Sequence, residues 1–161
     1  MVVEVWGPTG YGGHGNATIP SQGGGGGSGG YSRSIYTVAG SAGLTMNWSC
    51  GTGGQALNFA NSYVTSGTYS LTAMQVPTGG SGGIGTIGGG GAGGTAGPVG
   101  HGGNQSNLGG NAGDAGDPAG IGTGGAAVGG IHATGEPGAA GSYSTTVNNG
   151  GLPGTVAFYY T

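Results

Sequence analysis

Glycine recurs at every third position from residue 79 to residue 103: Gly79, Gly82, Gly85, Gly88, Gly91, Gly94, Gly97, Gly100 and Gly103. A period of three fits neither the α-helical turn nor the two-residue repeat of a strand. It matches the polyproline-II helix, which has three residues per turn. Such a helix makes no internal hydrogen bonds, so a folded one must satisfy its N–H and C=O groups on neighbouring chains. Backbones must then approach closely, and glycine, lacking a Cβ, belongs at each inward position.

The register shifts along the chain. After residue 103 the repeat resumes one residue out of frame with Gly110, Gly113, Gly116, Gly122 and Gly125, Ala119 filling the open slot. A third frame holds Gly129, Gly135, Gly138 and Gly141, with His132 at the skipped position. A collagen triple helix does not survive such shifts, whereas a chain that reverses and restarts in a new frame does. Asn104, Gln105, Ser106 and Asn107 mark one corner, and Asp117 with Pro118 marks another. At about 3.1 Å per residue, a pass of ten to thirteen residues spans roughly 30–40 Å. The pattern predicts about five antiparallel passes between 79 and 141, the first frame folding back near Gly88 and Gly91.

The rest of the chain reads as β. Residues 2–6 (VVEVW) and 155–161 (TVAFYYT) open and close it. Between them lie 31–39, 44–50, 56–63 and 68–76, each bounded by Gly, Ser or Asn, with 143–148 as a weaker candidate. No stretch carries helical periodicity. The expected fold is mostly irregular and β, without α-helix: a bundle of antiparallel polyglycine-II helices joined to a small strand region. The chain divides as a single unit into a strand-rich part with glycine-rich loops (1–78), the bundle (79–141) and closing strands (142–161), the two terminal strands adjacent. With 49 glycines and 7 prolines in 161 residues the composition resembles a coil, but charged residues are only 3%, unlike disordered segments.

That charge content also narrows function. Net charge is −3, with no lysine and one arginine, Arg33, too few cations for a nucleic-acid surface. A P-loop is excluded because it requires a lysine. No apolar run reaches the length of a membrane span, and no charged-then-apolar leader precedes Val2. One cysteine, Cys50, precludes an internal disulfide and fits a reducing compartment; beside Trp48 it reads as a small buried hydrophobe.

A catalytic set is not discernible. The acids are Glu4, Asp114, Asp117 and Glu136, and Asp114 with Asp117 reads as turn capping or a solvated edge. The stretch 109–117 (GGNAGDAGD) has its glycines misplaced for a calcium nonapeptide. His14, His101 and His132 lack local ligand partners, although His101 and His132 would bind a cation if the fold joined them. The reading is a non-enzymatic protein with no cofactor and no metal.

The opening Val3, Glu4, Val5, Trp6 and Gly7, the run Gly23 to Gly27, and Gly29, Gly30 and Tyr31 resemble glycine-rich domains at the distal ends of bacteriophage tail fibres. The closing 150–160 (GGLPGTVAFYY) looks like the way those domains end, and 79–141 is similar to the polyglycine-II sandwich of tip adhesins on T-even-type long tail fibres. The resemblance implies a virion surface protein, made in the host cytoplasm, that binds a bacterial surface receptor and assembles with other virion proteins. In that family the loops joining glycine helices at the outer end contact the receptor. Carried over, the receptor-binding candidates are Asn104, Gln105, Ser106, Asn107 and Leu108, and Asp114, Asp117 and Pro118. The aromatic terminal strands, with Trp6, Phe158, Tyr159 and Tyr160, imply burial against other copies, as in a trimer, or against a larger virion protein. Two alternatives stay open: a capsid decoration or tail cement protein, and a polyproline-bundle antifreeze presenting Thr86, Ala92, Thr95 and Val99.

Overall fold

The computed structural model describes residues 1–15, 22–38, 42–53, 60–85, 90–117, 122–130 and 150–160. Among them there is no helix, and the strands form two antiparallel sheets. Strands β1 (Val2–Trp6), β2 (Tyr31–Ile35), β6 (Ser106–Leu108) and β7 (Thr155–Tyr159) make one sheet in the order β6-β2-β1-β7. Strands β3 (Met46–Ser49), β4 (Ser62–Ser66) and β5 (Met74–Val76) make the other, in that order.

The terminal strands pair as the sequence predicts: Val2 lies opposite Tyr159 and Trp6 opposite Thr155. Strand β1 is buried on both faces, which explains why VVEVW does not alternate cleanly between apolar and polar residues. Val3 and Val5 face Val64, Met74 and Val76 of the second sheet, and with Met1 they form the side-chain core. On the opposite face Trp6 stacks at 5.2 Å on Tyr31 and donates its indole N–H to the Val128 carbonyl at 3.0 Å. Gly129 lies against the Tyr31 ring at φ +68, where a Cβ would come within 2.3 Å of the aromatic carbons.

Glu4 is fully buried among these aromatics. Its carboxylate accepts the Tyr31 hydroxyl at 2.5 Å and the Tyr159 hydroxyl, and it lies cross-strand from Arg33. Burial, and then the Glu4 hydrogen bond and charge, push the Tyr31 phenol well above its ordinary range.

Other strands are shorter than the residue pattern suggests, because hydroxyls capture backbone groups that a ladder would use. Of 68–76 only Met74–Val76 is strand. Thr68 Oγ1 accepts the Thr45 N–H at 2.8 Å, and the Ser66 hydroxyl accepts from Leu71 N and donates to Leu71 O. Of the expected strand 56–63, residues 56–59 lie outside the described residues, and of 60–63 Ser62 and Tyr63 lie in strand, within β4, which runs on to Ser66. Cys50, expected buried, is exposed just past the end of β3. The pattern ran one residue too far: Trp48 and Val64 are opposite each other, and the chain leaves the sheet after Ser49. The expected strand at 143–148, the glycines Gly88, Gly135, Gly138 and Gly141, and Thr86, Ala119, His132 and Glu136 lie outside the described residues.

The glycine segments carry a second kind of core, made of backbone. Gly79, Gly82, Gly85, Gly91, Gly94, Gly97 and Gly100 are all buried, while Ala92, Thr95, Ala96, Pro98 and Val99 between them are exposed. Their hydrogen bonds advance in steps of three. Gly110, Gly113 and Gly116 donate to Gly97, Gly94 and Gly91, running antiparallel, and Gly91, Gly94 and Gly97 donate to Gln22, Gly25 and Ser28, running parallel.

The innermost segment is 22–30, which the sequence reading placed among the loops of the strand-rich part. Its carbonyls serve three neighbours in rotation: Gln22, Gly25 and Ser28 accept from 91–97, Gly23 and Gly26 from 122–125, and Gly24, Gly27 and Gly30 from 7–13. Its N–H groups serve two more, Gly24 and Gly27 donating to Gly83 and Gly80, and Gly25 and Ser28 to Asp114 and Asn111. A segment with neighbours all round needs glycine at nearly every position rather than at every third, which accounts for GGGGGSGG at 23–30.

Candidate functional site

The strands and glycine segments are continuous in the chain. β1 runs into 7–15, 22–30 into β2, β5 into 79–85, and β6 into 109–117. The molecule therefore has a strand end and a far end, and the receptor-binding residues expected from sequence fall on both. Gly110 bonds Gly97 near the strands, while Gly116 bonds Gly91 at the opposite end of the same pair. The structure thus separates Asn104–Leu108 from Asp117 by the length of one pass.

At the strand end, the expected 104–108 corner is largely committed to the fold. Ser106–Leu108 is edge strand β6, with Tyr31 opposite Leu108 and Ser32 opposite Asn107. The Asn107 amide accepts from the Ser32 hydroxyl at 2.8 Å and from Gly103 N at 3.0 Å, and donates to Gly103 O at 2.8 Å. Asn104 accepts the Ile35 N–H and donates to the Ile35 carbonyl, both at 3.0 Å, so its amide substitutes for one more residue of the ladder. What remains for recognition is the exposed Gln105 side chain and Leu108, which is 42% exposed.

At the far end Asp114 is exposed, and its carboxylate accepts the Thr123 hydroxyl, tying two adjacent segments together. Its backbone bonds Thr123 and Gly25 at 2.9 Å each. Asp117 is exposed at the tip; Pro118 lies outside the described residues. Among the described residues no three His, Cys, Asp or Glu side chains gather to hold a metal ion, and no helix is long and apolar enough to cross a membrane.

A further feature was only half-signalled by sequence. Trp6, expected to help bury an interface, is itself 2% exposed. Trp48 and Tyr160 are exposed instead, at 57% and 75%. Trp48 on β3 meets Phe158 on β7 edge-on at 6.2 Å, at the side where both sheets present edge strands. Two adjoining clefts, of about 390 and 240 Å³, open there and share Leu44, Met46 and Tyr160. The clue in the sequence was the aromatic closing strand; the pairing with Trp48 needed the tertiary fold.

No protein-family model, no curated protein and no solved structure matches this chain.

Proposed function

We propose that the chain is a non-enzymatic bacteriophage virion protein, a tail-fibre or tail-tip adhesin, built on a bundle of polyglycine-II helices. The observation that supports this most is the three-residue step of the backbone hydrogen bonds between glycine segments, with the glycines buried and the intervening residues exposed. Such a scaffold is rigid, nearly uncharged and costly to alter inside, so recognition belongs on the residues that end its passes. Asp117 serves at the far end and Asp114 one three-residue step before it, Pro118 is a candidate from the sequence alone, and Gln105 and Leu108 serve at the strand end. Asn104, Ser106 and Asn107 act there chiefly by holding the corner in place. The clefts walled by Trp48, Phe158 and Tyr160 are where copies of the chain associate, or where it seats on the virion.

Purified protein is expected to adsorb to host cells and to compete with infection. Changing Asp114 and Asp117 together to Asn should abolish adsorption while thermal stability drops only slightly. Labelled protein that maps to the capsid shell and adsorbs to no host would instead support the decoration reading, which the exposed clefts also suit.

A further inference from the structure

The outward face of the β3-β4-β5 sheet carries a row of side chains that none of the roles above uses. Ser49 lies opposite Tyr63, Tyr63 opposite Gln75, and Gln75 forms an isolated antiparallel bridge with His101. Both backbone bonds of that bridge are made, Gln75 N to His101 O at 3.1 Å and His101 N to Gln75 O at 2.9 Å. Directly paired residues of antiparallel strands project to the same side with Cβ atoms about 5 Å apart. Val64, Met74 and Val76 alternate with this row and point into the core, so Ser49, Tyr63, Gln75 and His101 line up across the outer surface. Tyr63, Gln75 and His101 are exposed, and Ser49 is half-buried.

Beside the row, Tyr63, Thr65, Ala73 and Gln75 wall a cleft of about 210 Å³, with Met74 beneath. The small Ala73 leaves the opening between the larger side chains. Among the described residues no carboxylate, lysine or arginine lines it: Glu4 is buried in the other sheet, Arg33 is on β2, and Asp114 and Asp117 are on the glycine segments. We propose that this face binds a neutral carbohydrate, one pyranose ring lying on the Tyr63 phenol while the Gln75 amide and the Thr65 hydroxyl, which wall the cleft, engage its hydroxyls, and Ser49 and His101 stand at the two ends of the row. An exposed aromatic face flanked by uncharged groups able both to donate and to accept matches an uncharged polyol. An anionic sugar would find no lysine or arginine. The cleft is smaller than the roughly 300–1,000 Å³ of sites for drug-sized ligands, and so fits a single ring. The assignment is independent of the virion reading, because it concerns different side chains from those proposed for the receptor.

The test is saturation-transfer NMR of the full chain with maltose, lactose, cellobiose and a mannose disaccharide, and a uronic-acid disaccharide as the charged comparison. Transfer to ring protons of at least one neutral sugar is expected, and none to the uronate. Tyr63→Ala should weaken that binding by about tenfold or more and Gln75→Ala by about two- to tenfold, while Tyr63→Phe retains it within about threefold. The surface change Ala96→Ser should leave it unaltered. Binding of no neutral sugar at millimolar concentration, equal binding by Tyr63→Ala in a folded sample, or preference for the uronate would each overturn the assignment. Host adsorption lost by the Asp114 and Asp117 changes, with sugar binding kept, would separate this site from the receptor site.

Discussion

The two halves of this molecule exclude water by opposite means. In the sandwich, Val3, Val5, Val64, Met74 and Val76 fill the space between the sheets with side chains, and the backbone is satisfied within each sheet. In the glycine segments the side chain is absent, and the space is filled by neighbouring peptide groups. The sandwich tolerates exchange of one apolar group for another of like volume. The glycine segments tolerate no addition at an inward position. Each such glycine gives up about 1–2 kcal/mol of backbone freedom on ordering, offset by hydrogen bonds that net about 0.5–1.5 kcal/mol each and by close contact.

The largest effect should come from giving the backbone core a side chain. A Cβ on Gly94 would fall 2.2 Å from the Gly80 carbonyl oxygen and 2.7 Å from the Gly27 nitrogen. Gly94→Val is therefore expected to cost about 4 kcal/mol or more, or to prevent folding, as read by denaturant titration. The exposed neighbour Ala92 changed to Ser should stay within about 0.5 kcal/mol. Equal tolerance at the two positions would break the comparison. In the sandwich, Met74→Ala should cost about 2–4 kcal/mol through the cavity left behind, with the chain still folded.

A smaller effect sharpens how the sandwich meets the glycine segments, through Tyr31 and Glu4. The Tyr31 phenol is raised by burial first and by Glu4 second, whereas the unfolded chain ionises near its ordinary value of about 10. The folded state thus keeps a proton that the unfolded state has lost. Stability should hold below about pH 10 and fall as pH rises further toward the folded value. Tyr31→Phe should cost about 1–2 kcal/mol at neutral pH, by leaving the buried carboxylate short of a donor. It should also flatten the alkaline decline, measured by thermal melts across pH 8–11. The smallest stability effect is expected at the clefts. Trp48→Ser should change the melt by less than about 1 kcal/mol while altering self-association in sedimentation velocity.

How much of this was legible varied with how local each signal was. The burial of Gly94 and the exposure of Ala92 were readable because a period of three is a property of neighbouring residues. The pairing of β1 with β7 followed from two apolar runs needing a partner. The place of 22–30 was not readable as periodicity, since a segment with neighbours all round has glycine everywhere and so no period. Asn104 and Asn107 looked like free corner residues because their type favours turns. Only the fold reveals that their amides are spent on Ile35 and Gly103. The row from Ser49 to His101 joins residues more than fifty positions apart, and no local pattern announces it.

The central position of 22–30 carries a consequence for how the chain reaches this state. The innermost segment precedes most of its partners: apart from 7–13, the groups that satisfy it come from residues 80–83, 91–97, 111–114 and 122–125. Strand β1 likewise waits for β7, more than 140 residues later in the chain. Contact order is therefore high, and loop-closure entropy must be met before most of the bonding is realised. A nascent chain stopped at residue 75 would lack all four of those later segments. Folding is then expected to be slow and largely post-translational, and the amides of Gly24, Gly25 and Gly27 should be the last to exchange with solvent once it is complete.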